Sequence, residues 1–459
     1  MKVIGYHHIL LICLLGLNWI STGWAVNADS KIYSKFGYNL ALNDERRPCL
    51  WFQEPPSSGV WFQSGGSCTG GWAEAYTQYF LRRPIEAGSR WVRLDFDVIL
   101  NGIDGNSGID QNLSLANRQV FVEMGNMLGD ETLIWMGKRS YRWEGLWVIG
   151  MPIAVQDGVG LGFYNRKLAD FARFGLAAFR TIPWEKGPAQ HTLDLRFEDI
   201  AVLSGRMKWI VGLTETGAED ARSGESLYEP MKGQRLALIY DMWMQQSESR
   251  LVFGWGTGLY GSSDNRDYAR GSWIEESGAW RAADTLDAAW NYDFRAFLRR
   301  SQTWRTGGQY RYYPQGSKWH LNVGLGLQIL DFGGLRYVDE GQVYSRPNME
   351  TLALSIQPVY RLHERWEAEF QFGHIAVKQG LANYHRLQDG TVQQSLRPID
   401  RQLSHVRLAM NYLPLGRWQV KFSPYLGYSW WNRLTRFDVS PETGRSSGTY
   451  AGMQSSVEF

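Results

Sequence analysis

From residue 91 the chain alternates strictly: Val92, Leu94, Phe96, Val98 and Leu100 fall on one face, and Trp91, Arg93, Asp95 and Asp97 on the other. A period of two is kept only by an extended strand, whose successive side chains point to opposite sides. Residues 319–329 repeat it, with Trp319, Leu321, Val323, Leu325, Leu327 and Ile329 opposed to His320, Asn322, Gly324, Gly326 and Gln328. At the end of the chain Ala451, Met453, Ser455, Val457 and Phe459 alternate with Tyr450, Gly452, Gln454, Ser456 and Glu458. Loops rich in Gly, Asn, Asp, Ser and Pro separate such stretches, and no linker, composition shift or low-complexity run divides residues 29–459, which read as a single domain.

A soluble sandwich also alternates. What distinguishes this chain is polar faces rich in charge and glycine, set against apolar faces that end in aromatics, as lipid outside and water inside require. The expectation is an all-β transmembrane antiparallel barrel of roughly sixteen to twenty strands, each about ten residues long. A barrel of that size encloses an aqueous channel. The 22 Trp and 23 Tyr suit aromatic girdles where hydrocarbon meets headgroups, and the 50 Gly suit turns and bulges. A terminal Phe459, preceded by apolar residues at every second position, is the usual mark for assembly in the bacterial outer membrane.

The first residues read as an export signal: Lys2 supplies the charge, residues 9–17 the apolar stretch, and Val26-Asn27-Ala28 the cleavage site, after Ala28 or alternatively Ala25. The apolar run is short for a spanning helix, and no other stretch approaches the roughly 18 residues one needs. Removing the signal takes Cys13 and leaves Cys49 and Cys68, expected to form a disulfide closing one loop in an oxidising compartment, with two free thiols as the alternative. Such a bridge is worth roughly 3 kcal/mol.

Several fragments, in order along the chain, resemble the maltoporin-type carbohydrate porins. They are Phe36-Gly37-Tyr38, the Cys49/Cys68 pair, Glu74-Ala75-Tyr76, Arg118-Gln119-Val120-Phe121-Val122-Glu123, Ile134-Trp135-Met136-Gly137-Lys138-Arg139-Ser140-Tyr141, and Ile356-Gln357-Pro358-Val359-Tyr360-Arg361. The resemblance implies eighteen strands, a homotrimer in outer-membrane lipid, an inward-folded third loop, and sugar solutes passing along a slide of aromatic rings flanked by charged tracks. A pyranose has apolar C–H faces and a rim of hydroxyls, so rings stack on the face while ionised side chains bond the rim.

Carried over by position, Tyr38 and Tyr76 match two slide residues, although Tyr38 shares its face with Phe36 and Leu40, as a lipid-facing stripe would. Arg118 and Arg139 match track residues. Arg93 and Asp95 lie on the polar face of the third strand, and Gln78 shares the face of Tyr76. For all of these the alternative is a mutually neutralised wall. Residues 142–157 are expected to form the constriction, where Trp143 and Trp147 replace family acids and histidines, either as stacking platforms or as loop packing. The sequence departs from the family elsewhere. Residues 101–116 contain no aromatic where a neighbouring subunit's Trp is expected, the last slide position falls at Glu458, and another falls near Lys421.

A net charge of +2 gives no basis for a nucleic-acid partner. The sequence has no G-x-S-x-G nucleophile turn, phosphate-binding glycine loop or metal-ligand spacing, so no enzyme, cofactor or metal is expected. The expected function is facilitated diffusion of carbohydrates, with a general or otherwise selective diffusion porin as the alternative.

Overall fold

The computed structural model describes residues 31–41, 71–82, 84, 86, 88–101, 114–169, 171–181, 190–216, 232–258, 260, 302–331, 336–339, 342–345, 348–379, 383–386, 392–395, 399–414, 420–431 and 447–458. The signal segment, Cys49, Cys68 and Phe459 lie outside them.

The strands in chain order begin with β1 (Lys31–Ala41), β2 (Gly71–Arg82), β3 (Trp91–Asn101), β4 (Ser114–Gly125), β5 (Leu133–Leu146), β6 (Met151–Ala169) and β7 (Ala172–Thr181). Next come β8 (Gln190–Val202), β9 (Gly205–Thr216), β10 (Lys232–Met244), β11 (Ser247–Gly258), β12 (Gln302–Tyr312) and β13 (Trp319–Asp331). The last are β14 (Arg336–Asp339), β15 (Gln342–Ser345), β16 (Met349–His363), β17 (Trp366–Gln379), β18 (Asn383–Arg386), β19 (Val392–Ser395), β20 (Ile399–Tyr412), β21 (Val420–Trp431) and β22 (Ser447–Glu458). Eighteen of them form one antiparallel sheet. It closes on itself because β22 pairs with β1, Met453 opposite Tyr38 and Glu458 opposite Tyr33. Closure leaves no unpaired sheet edge, which lipid would not tolerate. The pairs β14–β15 and β18–β19 are small separate hairpins.

The burial pattern is the reverse of a soluble protein's. Leu325 is 50% exposed, Leu352 43%, Phe370 45%, Leu408 52% and Leu426 53%, whereas Gln328, Thr351, Ser355, Gln371 and His405 are fully buried. Apolar side chains therefore face outward and polar ones line the interior. Two-residue turns join β8 to β9, β10 to β11 and β16 to β17, and the long connections over residues 217–231 and 259–301 lie at the opposite end. In outer-membrane barrels the short turns face the periplasm. Trp319, Tyr360 and Trp366 ring that end, with Trp304, Tyr428 and Trp430 toward the other, all exposed.

One hairpin leaves the wall. β5 pairs with β4 only from Leu133 to Lys138, and β6 pairs with β7 only from Val159 on. Beyond those points β5 and β6 pair only with each other, and register shifts between Tyr141, Glu144 and Gly145 bend the hairpin away from the wall. Its tip turns into the barrel. Leu146, Val148, Ile149 and Met151 are fully buried, and Ile153 nearly so.

An inward hairpin over the third strand pair

The tip seats against the inner wall of β11–β13, on positions that carry no side chain. A Cβ built on Gly326 would lie 2.5 Å from Ile149 Cδ1, one on Gly324 2.9 Å from Val148, and one on Gly307 2.7 Å from Leu146 Cδ1. The alternating glycines of residues 319–329 thus form the groove that receives the tip. Each fully buried aliphatic side chain removed from a water-filled lumen contributes about 1.5–3 kcal/mol.

Polar groups hold the stem of the hairpin. Glu144 accepts from Lys208 and, at 3.4 Å, from Arg250. Arg250 is fixed in turn by both oxygens of Asp241, at 2.6 and 2.9 Å, and Lys208 lies 3.2 Å from Glu198. Arg305 Nη1 donates to the Pro152 carbonyl at 2.6 Å. Near the outer end Tyr260 donates to Gln156 Oε1 at 3.3 Å, and burial pushes its phenol up from the ordinary tyrosine value. Trp147 packs under Arg311, whose guanidinium carbon is 4.4 Å from the ring centre. Its surroundings, with Asp241, Trp243, Glu248 and Gln309, line a cleft of about 180 Å³.

On the wall nearest the hairpin's origin, several of the sequence candidates meet. Tyr76 donates to Asp95 Oδ1, and Gln78 Nε2 donates to the same oxygen at 2.8 Å and to the Tyr76 hydroxyl at 2.7 Å. Arg93 Nε donates to Asp95 Oδ2 at 2.8 Å, and its Nη2 to Glu123 Oε2 at 2.5 Å. Glu123 also accepts from Tyr164 at 2.6 Å and lies 3.3 Å from Arg139 Nη1. The result is one ladder from β2 to β6. Asp95 is fully buried beneath its partners, so Tyr76, Gln78 and Arg93 are the groups that face the lumen. Arg139 is mostly covered. Its guanidinium carbon lies 4.3 Å from the Phe121 ring centre, 5.2 Å from that of Trp135 and 5.3 Å from that of Tyr164.

The side chains of Tyr38, Arg118 and Trp143 lie outside the described residues. Tyr38 pairs with outward-facing Met453, on the parity of the lipid side, while Tyr33 stands opposite Tyr76 on the lumenal parity. Arg118 falls where the β3–β4 register skips from Gln119 to Asn117, and Trp143 in the bulge before Glu144.

Sequence reasoning passed over Glu123 and Tyr164. The first has the parity of Phe121 within a quoted motif. The second follows Gly158, Gly160 and Gly162, whose missing side chains leave room inside the wall: a Cβ on Gly160 would meet the Ala178 carbonyl at 2.1 Å. His320 and His374, which lie in strands of the wall, do not meet. His320 is on the lumenal parity, whereas His374 bonds Ser404 at 2.8 Å on the outward one. No metal-holding cluster occurs among the described residues.

Among solved structures, the chain is similar to OccD3 of Pseudomonas aeruginosa at 9% identity, covering 94% of this chain and 90% of that one, with a TM-score of 0.43. It is similar to in-vitro folded OmpT of Vibrio cholerae, in its trimer form, at 9% identity, 94% and 98% coverage and a TM-score of 0.37. It is also similar to Salmonella typhi OmpF in complex with daunomycin at 10% identity, 94% and 97% coverage and a TM-score of 0.38. No curated protein sequence matches. The LamB porin family does match, over residues 72–396, more than half of the 459 residues and inclusive of the inward hairpin. With that match, on a closed eighteen-stranded wall with an inward hairpin, the chain belongs to the LamB porin family and is an outer-membrane porin, not an enzyme.

Proposed function

We propose that this porin conducts oligosaccharides by facilitated diffusion, along the side of the lumen left open by the hairpin. The observation that carries the reading is the ladder of Tyr76, Gln78 and Arg93 over buried Asp95 and Glu123. It sets a ring and fixed hydrogen-bonding groups side by side, and the buried carboxylates hold their donors in place. A ring stacks on a sugar face and the neighbouring amide and guanidinium bond its rim. Contacts of this kind are weak and repeatable, so a solute exchanges one set for the next and still leaves. The same reading includes a homotrimer, a signal peptide removed after Ala28, and a Cys49–Cys68 disulfide in the first external loop.

Planar-bilayer recording with a panel of neutral sugars tests it. Concentration-dependent block is expected in the wild-type channel and is weakened in Tyr76→Ala. If no sugar blocks, or if Tyr76→Ala blocks as well as wild type, the assignment is wrong. A second reading, a diffusion porin without sugar preference, is favoured by the charged residues Lys421 and Glu458 at lumenal register positions. It predicts conductance that no oligosaccharide alters.

A further inference from the structure

The wall formed by β17, β20 and β21 carries a second cluster of charge, away from the ladder. Arg407 Nη2 donates to Glu369 Oε1 at 2.6 Å, and Asn411 Nδ2 donates to Oε2 at 3.4 Å. Both oxygens of the carboxylate are thus engaged. Lys421, on the next strand, has its ammonium 4.0 Å from Glu369 Oε2, beyond hydrogen-bond distance, and donates no hydrogen bond among the described residues.

Arg407 is itself only 7% exposed and lies over Tyr425, its guanidinium carbon 5.3 Å from the ring centre. Its Nε has no acceptor among the described residues. Among the described residues two cations therefore share this one carboxylate, and the more exposed of them is Lys421, whose side chain is 28% exposed. On neighbouring elements Glu367 pairs with Arg361 at 3.4 Å. In register, Lys421 stands opposite Ser456, and Ser456 opposite Lys35, which is itself opposite Glu74. Lys421 belongs to the first turnward residues of β21, close to the periplasmic mouth.

We propose that Lys421, backed by Arg407 and Tyr425, is an anion subsite, and that the porin's preferred solutes are oligosaccharides bearing carboxylate groups. The proposal rests on the carbohydrate reading above and adds the charge of the solute to it. A lumenal ring at this height would stack on any sugar. An ammonium with unused donors instead favours a solute that brings an acceptor with negative charge, and a charge-assisted bond is the stronger kind. The Arg407 guanidinium, 5.3 Å from the centre of the Tyr425 ring and mostly buried, adds its charge to that of Lys421 from within the wall.

The test is single-channel recording at low salt, where screening is least. The probes are a neutral trisaccharide of glucose and a trisaccharide of galacturonate. The acidic probe is expected to block at roughly tenfold lower concentration, the equivalent of one charge-assisted hydrogen bond. Lys421→Gln is expected to abolish that ratio, and Lys421→Arg to keep it. Equal block by the two probes, or an unchanged ratio in Lys421→Gln, overturns the proposal. If neither probe blocks, the carbohydrate reading fails, and the subsite is then judged by reversal potential in a potassium chloride gradient. A shift toward cation preference in Lys421→Gln supports an anion site for small ions, and no shift removes it. Heat-modifiable migration of each variant on electrophoresis establishes that it has folded.

Discussion

Arg93 stands between two carboxylates and pairs with both Asp95 and Glu123. Breaking a buried ion pair by removing one partner costs about 3–5 kcal/mol, because the other charge is left behind without compensation. Arg93 is partly exposed, so Arg93→Ala is expected near the lower end, about 3 kcal/mol, read from denaturant unfolding of the folded barrel. Arg93→Met should cost as much, since it fills space and restores no charge. The parity of Arg93, Asp95 and Gln78 was legible in the sequence, because a strand's period admits only two faces. What was not legible is the order of depth along the ladder. Asp95 lies under Tyr76 only because β2 and β3 bring Gln78 opposite Asp95, a register set by pairing and not by either strand alone. Tyr38 shows the same limit: its motif matched a slide position, its companions Phe36 and Leu40 matched a lipid-facing stripe, and its register position opposite Met453 comes from the pairing with the last strand.

At the scale of an element, the inward hairpin depends on a groove. The glycines at 324 and 326 stood out in the sequence as half of an alternating face, which reads equally well as a smooth lumenal wall. Their use as a seat was hidden because the tip that fills it lies more than 150 residues away along the chain. The double substitution Gly324→Leu with Gly326→Leu places side chains where Val148, Ile149 and Met151 now lie, and is expected to unseat the tip. Single-channel conductance should then rise and the open-channel current become noisier. An unchanged conductance would mean that the hairpin does not narrow the pore. Glu144→Gln removes the charge that Lys208 and Arg250 share, and a smaller rise is expected, since the apolar seat remains.

For the whole molecule, the lipid-facing surface sets the stability. Leu325 sits mid-strand on β13 and is 50% exposed on the outward side. Leu325→Arg places a guanidinium in hydrocarbon and is expected to cost about 2–4 kcal/mol, measured by reversible folding into bilayers. A comparable loss in detergent micelles of short chain length is not expected, because the head of the side chain reaches water there. The barrel itself was readable from alternation, aromatic excess and glycine content, and the strand number fell within the range that counting gave. The resemblance narrowed it to the eighteen observed.

The hairpin also bears on the closure of the wall. Its tip belongs to β5 and β6, its seat to β11–β13, and the seam that shuts the cylinder joins β22 to β1. Once that seam has zipped, a tip left outside has no route to its seat except through the mouth. The seam between the last strand and the first thus fences in a contact made by the chain's first third, and the mouth is the one way the tip can leave its seat while the wall stays closed.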